Sequence, residues 1–270
     1  MKNKDNAAAV FLSDCASGKI RGSYKVAGNE NEKPLTELTP AEWRQVTYLC
    51  LAANRLTDVW ALRSLTKLKD LFLTGNQLTD VSGLSRLTNL DWLDLSGNQI
   101  TDVTALGGLT QLRSLNLHGN QLKDVAPLAC LTKLRYIDLS GNQITDASPL
   151  SGLKRLTDLY LSNNRLTDVS PLSGLIQLKC LHLSNNRLTD VWALSNLTEL
   201  ECLDLSGNDL PAVLPLRGLT KLMWLDLFNQ KRQTKGLDEY PDVQIAAMLK
   251  RLNLFNQNQQ RRMARKGIES

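Results

Sequence analysis

The sequence predicts an α/β repeat solenoid: an arc with a parallel β-sheet on its concave side, short 3₁₀-like turns on its convex side, and a helical cap at each end. Two observations predict it. An asparagine recurs at Asn54, Asn76, Asn98, Asn120, Asn142, Asn164, Asn186 and Asn208, always twenty-two residues apart. Around it runs one apolar frame, complete from Leu68 to Leu87 as Leu68, Leu71, Leu73, Asn76, Leu78, Asp80, Val81, Leu84 and Leu87. A fixed period of this length marks a chain whose units bury their apolar faces only against one another.

Leu71 and Leu73 alternate with Asp70, Phe72 and Thr74, the period of two of a short strand with one buried face. Asn76 follows, and an amide with two donors and an acceptor satisfies backbone groups bared where the chain turns inside a stack. Repeated along the chain, these residues form a structural asparagine ladder. Asp80 and its equivalents Asp58, Asp102, Asp124, Asp146, Asp168 and Asp190 precede an apolar turn, where a short acceptor caps free amides. Pro127, Pro149, Pro171 and Pro215 lie in those turns. Proline presets one backbone angle and removes a donor that a long helix needs, which favours 3₁₀ turns over α-helix.

The unit, in stretches such as "LTDVSPLSGLIQLKCLHLSNNRLTDV", closely resembles the internalin-type leucine-rich repeats of bacteria. A repeat of the same length class also occurs in a regulatory subunit of a eukaryotic protein phosphatase. The resemblance covers roughly two-thirds of the chain. It implies a bacterial, non-enzymatic protein that binds other proteins on the concave sheet, since a fold of this kind fixes architecture more tightly than function. Internalins proper also carry an export signal, a cap domain and a surface anchor, none of which is evident in these residues.

Four segments follow in order. Residues 1–33 show no apolar period and read as a flexible N-terminal segment. Residues 34–45 read as a cap helix, with Thr39 as N-cap, Pro40 in the first turn and Glu42 reaching back to close a capping box. Trp43 and Val46 stand where later repeats place Leu65 and Leu68. Residues 46–228 are the repeats. Residues 229–270 are an irregular last repeat, a C-terminal cap and a basic tail: Ala212 has already replaced the capping aspartate, and Gln230 replaces the asparagine. "LKRLNLFNQ" at 249–257 echoes "LMWLDLFNQ" at 222–230, which predicts a last strand near 251–255 after a helix over 242–249. One continuous amphipathic helix from Pro241 fits the same residues.

With 42% hydrophobic and 22% charged residues in 270, the composition is that of a soluble globular protein without a membrane span. The apolar run Ala7 to Leu12 is shorter than a signal peptide's core, and Asp14 before Cys15 spoils a lipoprotein cleavage site. The five cysteines at 15, 50, 130, 180 and 202 suggest no paired framework beyond neighbours Cys180 and Cys202. The expectation is a cytoplasmic monomer, or an effector secreted without a cleavable signal peptide. The net charge of +5 is concentrated after residue 228, and the tail 258–270 carries an alternative reading: a repeat module anchored to nucleic acid or an anionic surface.

Three outward rows cross the predicted strands. The first contains Tyr48, Asp70, Trp92, Tyr136, Asp158, Cys180, Cys202 and Trp224; the second Phe72, Asp94, Asn116, Asp138, Tyr160, His182, Asp204 and Asp226; the third His118, a run of serines and Phe228. Together they hold six aspartates, no lysine or arginine, and seven of the fourteen aromatic residues (five Trp, five Tyr, four Phe). Exposed rings amid carboxylates are the ingredients of an interface with charge selection. The concave-face site is therefore assigned to Tyr48, Asp70, Phe72, Trp92, Asp94, Asn116, Tyr136, Asp138, Asp158, Tyr160, His182, Asp204, Trp224 and Asp226, with a basic protein segment as partner and nucleic acid disfavoured there. No catalytic residues are expected: the histidines are His118 and His182 alone, and neither a phosphate-binding glycine loop nor a serine nucleophile elbow is present. Cys180, His182, Cys202 and Asp204, with Asp158 a strand away, form the sharpest chemical cluster. Two-residue spacing on a flat sheet splays ligands, so the expectation is no metal and no cofactor.

Overall fold

Each full repeat contributes a strand of three residues whose middle residue is buried, as in Asp70–Phe72, Tyr136–Asp138 and Cys180–His182. The computed structural model describes residues 22–26, 38–211 and 213–230. The chain divides into two units, Met1–Ile144 and Thr145–Ser270. In the first lie β1 (Ser23–Val26), the single turn α1 (Pro40–Trp43), β2 (Val46–Cys50), β3 (Asp70–Phe72), β4 (Trp92–Asp94), β5 (Ser114–Asn116) and β6 (Tyr136–Asp138). In the second lie β7 (Asp158–Tyr160), β8 (Cys180–His182), β9 (Cys202–Asp204) and β10 (Trp224–Asp226).

From β2 to β6 the strands pair in parallel, with each leucine opposite its counterpart one repeat on: Leu49 with Leu71, Leu71 with Leu93, Leu93 with Leu115, and Leu115 with Ile137. The second unit repeats this with Leu181 opposite Leu159 and Leu203, and Leu225 opposite Leu203. A parallel register at the repeat length superposes like on like, so these side chains seal a column with no access to water from Leu49 to Ile137 in the first unit, and another from Leu159 to Leu203 in the second. Burial of each stabilises by roughly 1.5–3 kcal/mol. Among the described residues the segments behind the repeat strands are 3₁₀ turns: Trp60–Ser64, Ser82–Leu84, Thr104–Leu106 and Ala126–Cys130 in the first unit, then Ser148–Leu150, Ser170–Leu172, Trp192–Asn196 and Leu214–Gly218. Proline is the second residue of four of them, and in each of the seven repeats with a capping aspartate its Oδ1 accepts the N–H two residues on, from Trp60 at 3.2 Å to Ser82, Ser170 and Trp192 at 2.7 Å.

The asparagines form the expected ladder. Asn98 Oδ1 accepts the Leu78 N–H at 3.0 Å, while its Nδ2 donates to Leu73 O at 3.0 Å and Leu95 O at 2.9 Å. Asn76, Asn120 and Asn142 repeat this in the first unit, and Asn186 and Asn208 in the second. Asn164 Nδ2 donates to Leu161 O at 3.1 Å. The first rung, Asn54, is only half-buried and turns its Nδ2 to Ala52 O. Asn76, Asn98, Asn120, Asn142, Asn186 and Asn208 thus each staple one repeat to the one before it, using groups that would otherwise be buried without partners.

The chain ends depart from the sequence reading. Thr39 and Glu42 make the capping box, Thr39 N–H to Glu42 Oε2 at 2.9 Å and Glu42 N–H to Thr39 Oγ1 at 3.2 Å, and Trp43 and Val46 are buried like the leucines they replace. The helix nevertheless closes after one turn, well short of a cap over 34–45. Inside the segment expected to lack regular structure, Ser23–Val26 forms an edge strand antiparallel to β2, pairing Tyr24 with Leu49 and Lys25 with Tyr48. Four residues carry too little alternation to register as a strand, and what orders them is the unpaired edge that β2 would otherwise present. At the other end Gln230 acts as a ladder residue. The C-terminal cap, the last strand near 251–255 and the tail 258–270 lie outside the described residues. Among those described, no helix is long and apolar enough to cross a membrane.

Candidate functional site

The alternation that buries the leucines turns the intervening residues outward, and all fourteen residues assigned to the site are half-buried or exposed on the sheet face. Eight lie in the first unit. There Tyr48, Phe72 and Trp92 run diagonally over three strands, Tyr48 to Phe72 at 5.4 Å and Phe72 to Trp92 at 5.2 Å edge-on between ring centroids. Trp92 ends this run with 46% of its surface exposed. Such ring pairs add about 0.5–1.5 kcal/mol beyond their buried area, so part of the aromatic stripe stabilises the sheet while its end at Trp92 stays open to solvent.

Lys25 is a site residue that the sequence does not reveal. The β1–β2 register places it opposite Tyr48, and its Nζ lies 5.6 Å from the Tyr48 ring centroid. It therefore brings a cation onto a face whose repeat rows contain none. Beside it, burial raises the Asp70 carboxyl above its ordinary pKa and the Asp91 charge raises it further, against the opposing pull of Lys69 and Lys25. Large apolar side chains also stand exposed outside the rows assigned from sequence, at Ile176, Trp192 and Met223.

The aspartates of the second row divide their work. Asp94 Oδ1 accepts Ser96 N–H at 2.9 Å and Ser96 Oγ at 2.6 Å, and Asp204 does the same for Ser206 at 2.9 and 2.7 Å. Asp138 accepts Ser140 N–H, Asp226 accepts Phe228 N–H, and Asn116 accepts His118 N–H. One oxygen of each therefore turns the chain at the end of its strand, an Asx-turn role legible in the Asp-x-Ser spacing. Asn116 Nδ2 also donates to Asp94 Oδ2 at 3.3 Å. Ser96, Ser140 and Ser184 of the third row are buried, whereas His118 in the first unit and Phe228 in the second, 72% exposed, open the same row to solvent.

The second unit gathers the remaining six with the two cysteines. Cys180 is in register with Cys202 and His182 with Asp204. Cys202 Sγ lies 3.4 Å from His182 Nε2, and His182 Nδ1 lies 3.8 Å from Asp204 Oδ2. The Tyr160 hydroxyl donates to Cys180 Sγ at 3.7 Å. Tyr160 and Trp224 hold the imidazole between them at 4.8 and 5.5 Å. The Cys202 thiol donates a hydrogen bond to Cys180, and with His182 and Tyr160 it brings the Cys180 pKa down to about 5 against the cost of burial. Cys202 is pushed up because it is the donor of that pair, and because burial and the charges of Cys180, Asp204 and Asp158 resist a second anion.

Repeats of this build match two family models, leucine rich repeats in two copies over residues 88–130 and 132–174, and a leucine rich repeat over 44–100 and 154–210. Internalin C2 of Listeria monocytogenes is similar at 32% identity, with a TM-score of 0.71 over 82% of this chain and 92% of that one. A leucine-rich repeat protein of Leptospira interrogans is similar at 28% identity and TM-score 0.67, over 72% of this chain and 52% of that one. The plant peptide hormone receptor RGFR1, solved in complex with RGF2, is similar at 26% identity and TM-score 0.60, over 71% of this chain and 34% of that one. No curated protein sequence compared with the chain matches it. The chain belongs to the leucine-rich repeat family and, within it, to the internalin type. Proteins of this family serve as protein-interaction scaffolds, and their repeat domains bind proteins or peptides.

Proposed function

We propose that this protein is a non-enzymatic scaffold that binds a basic segment of another protein on the solvent face of its sheet. The observation that carries the reading is the exposed end of the aromatic run at Trp92, set among Asp70, Asp91 and Asp94. An indole in a carboxylate surround offers a large contact area to an aliphatic or guanidinium stem and a favourable charge to its head. The carboxylate oxygens left over from the strand-end turns point the same way in charge. The similar plant receptor is by description a peptide hormone receptor, which supports a peptide-sized occupant. The four described cysteines, all free thiols, support a reducing compartment.

The test is fluorescence anisotropy against two synthetic peptide libraries of equal length and hydropathy, one rich in Arg and Lys, the other in Asp and Glu. The expected result is selective, salt-sensitive binding of basic peptides, weakened at least tenfold in a Phe72→Ala, Trp92→Ala double variant. Equal binding by that variant removes the sheet face as the site. Loss of binding only on deletion of residues 258–270, with nucleic acid as the better ligand, favours the tail instead.

A further inference from the structure

We propose that Cys180, His182 and Cys202 form a three-ligand zinc site on the sheet face of the second unit, with its fourth position open to solvent. The objection from sequence is that residues two apart on a flat sheet point their ligand atoms along parallel lines. The structure removes it, because the ligands come from two strands: His182 leans across to β9, and its Nε2 meets Cys202 Sγ at 3.4 Å. Cys180, opposite Cys202 in the register, closes the triangle, and all three ligand atoms lie within 4.8 Å of one another. A tetrahedral zinc with ordinary bond lengths sets its sulfur and nitrogen ligands about 3.6 Å apart and two sulfurs about 3.8 Å apart. The observed triangle, 3.4 Å on one edge and within 4.8 Å on the others, is close to that size.

Two further features favour metal over packed filler. Metal-bound histidines commonly donate the other ring nitrogen's proton to a carboxylate, and His182 has such a group within reach: Nε2 faces the cysteines while Nδ1 faces Asp204 Oδ2 at 3.8 Å, beyond a hydrogen bond but on the correct side. Asp204 is itself fixed through its other oxygen by Ser206 N–H and Oγ. It is therefore a positioning residue and not a ligand. The rings of Tyr160 and Trp224, on either side of His182, set the plane in which Nε2 points. Two thiolates and an imidazole form a soft donor set that prefers zinc to calcium or magnesium. Binding releases to solvent whatever thiol proton the pair still holds and changes no oxidation state.

The test uses the full chain without an affinity tag, reduced and titrated with Co²⁺, then with Zn²⁺. The expected result is one equivalent of cobalt with a thiolate-to-metal charge-transfer band and the strong visible absorption of four-coordinate cobalt, displaced by one equivalent of zinc. Cys180→Ser and Cys202→Ser each abolish the charge-transfer band or halve it, while Cys50→Ser and Cys130→Ser leave it unchanged. Asp204→Asn keeps the band and weakens zinc about 10–100-fold. Wild-type protein supplies a reading that needs no variant: zinc protects Cys180 and Cys202 from iodoacetamide and leaves Cys130 reactive. Absence of a charge-transfer band, full retention of zinc in the Cys180→Ser, Cys202→Ser double variant, or alkylation of both thiols at unchanged rate under zinc each overturns the proposal.

Discussion

The side-chain amide of Gln230 accepts the backbone N–H of Leu210 at 3.1 Å and donates to Leu205 O at 2.8 Å. These are the bonds that Asn208 makes one repeat earlier with Leu188 and Leu183. A glutamine thus closes the described ladder where the asparagine pattern stops. Its extra methylene is accommodated at a half-buried position, whereas Asn208 is fully enclosed.

The ladder predicts a graded response to truncation. In Asn120→Ala the Ile100 N–H and the Leu95 and Leu117 carbonyls lose their partner in a buried position. Each orphaned group costs roughly 1–3 kcal/mol, so the loss is on the order of 3 kcal/mol or more by chemical denaturation. Gln230→Ala, at a half-buried position, costs about 1 kcal/mol. Equal losses at the two positions would contradict the ladder as the dominant staple.

Acid unfolding is set in part by the turn-capping aspartates. Hydrogen bonds from the side chains of Thr104, Ser148 and Ser170, with their backbone N–H groups, hold Asp102, Asp146 and Asp168 below the ordinary carboxylate range. A folded-state pKa below the unfolded one contributes stability that is present above the unfolded value and lost as pH falls through the folded one. Asp70, raised mainly by burial, has the opposite sign: its contribution is present in acid and lost as pH rises through its folded value. Replacing Asp168 with Asn therefore flattens the acid limb of a stability–pH curve, and Asp70→Asn raises stability near neutrality. Parallel curves for wild type and both variants would refute the assignment.

A left-handed residue precedes each rung of the ladder. Gly97 (φ 62), Asn163 (φ 55) and Asn185 (φ 54) all occupy it. A Cβ added at Gly97 would meet only Gly75 backbone atoms at 3.6 Å, so the constraint is conformational and not a clash. Gly97→Asn should cost only tenths of a kcal/mol, because asparagine tolerates this region. Gly97→Val should cost about 2 kcal/mol, since a branched side chain does not. Thermal unfolding of the pair distinguishes them, and similar midpoints would mean that the strain is relieved elsewhere.

Much of this was legible because period and burial are the same fact. Leu71, Leu73 and Asn76 recur at the repeat length, and in a parallel register the recurrence is itself the packing. Pro127 and its equivalents gave the 3₁₀ turns for the same local reason. What escaped was non-periodic or depended on side-chain rotation. Lys25 reaches the site through an added strand that no period announces. Asp94 and Asp204 read as partner-facing charge, yet each commits an oxygen to a turn. His182 leaning across to Cys202 is a torsional choice, invisible in a two-residue spacing.

The edge strand makes the last prediction. β1 covers the open edge of β2 through the antiparallel register from Ser23 opposite Cys50 to Val26 opposite Val46. An uncovered parallel edge is a template for pairing with other chains. Leu51 N–H and Thr47 O bond on the β3 side, so Tyr48 and Cys50 face β1, and Lys25→Pro, opposite Tyr48, removes one donor from that ladder and fixes a backbone angle unsuited to a strand interior. In this variant the amides of residues 46–50 should exchange with solvent at least tenfold faster, while those of Asp70–Phe72, interior to the sheet, keep their protection. Sedimentation should show association that grows with concentration. Unchanged exchange along β2 would mean that the strand leaves with β1 in place or is protected by other residues, and β1 would then be an accessory and not the cover of the sheet edge.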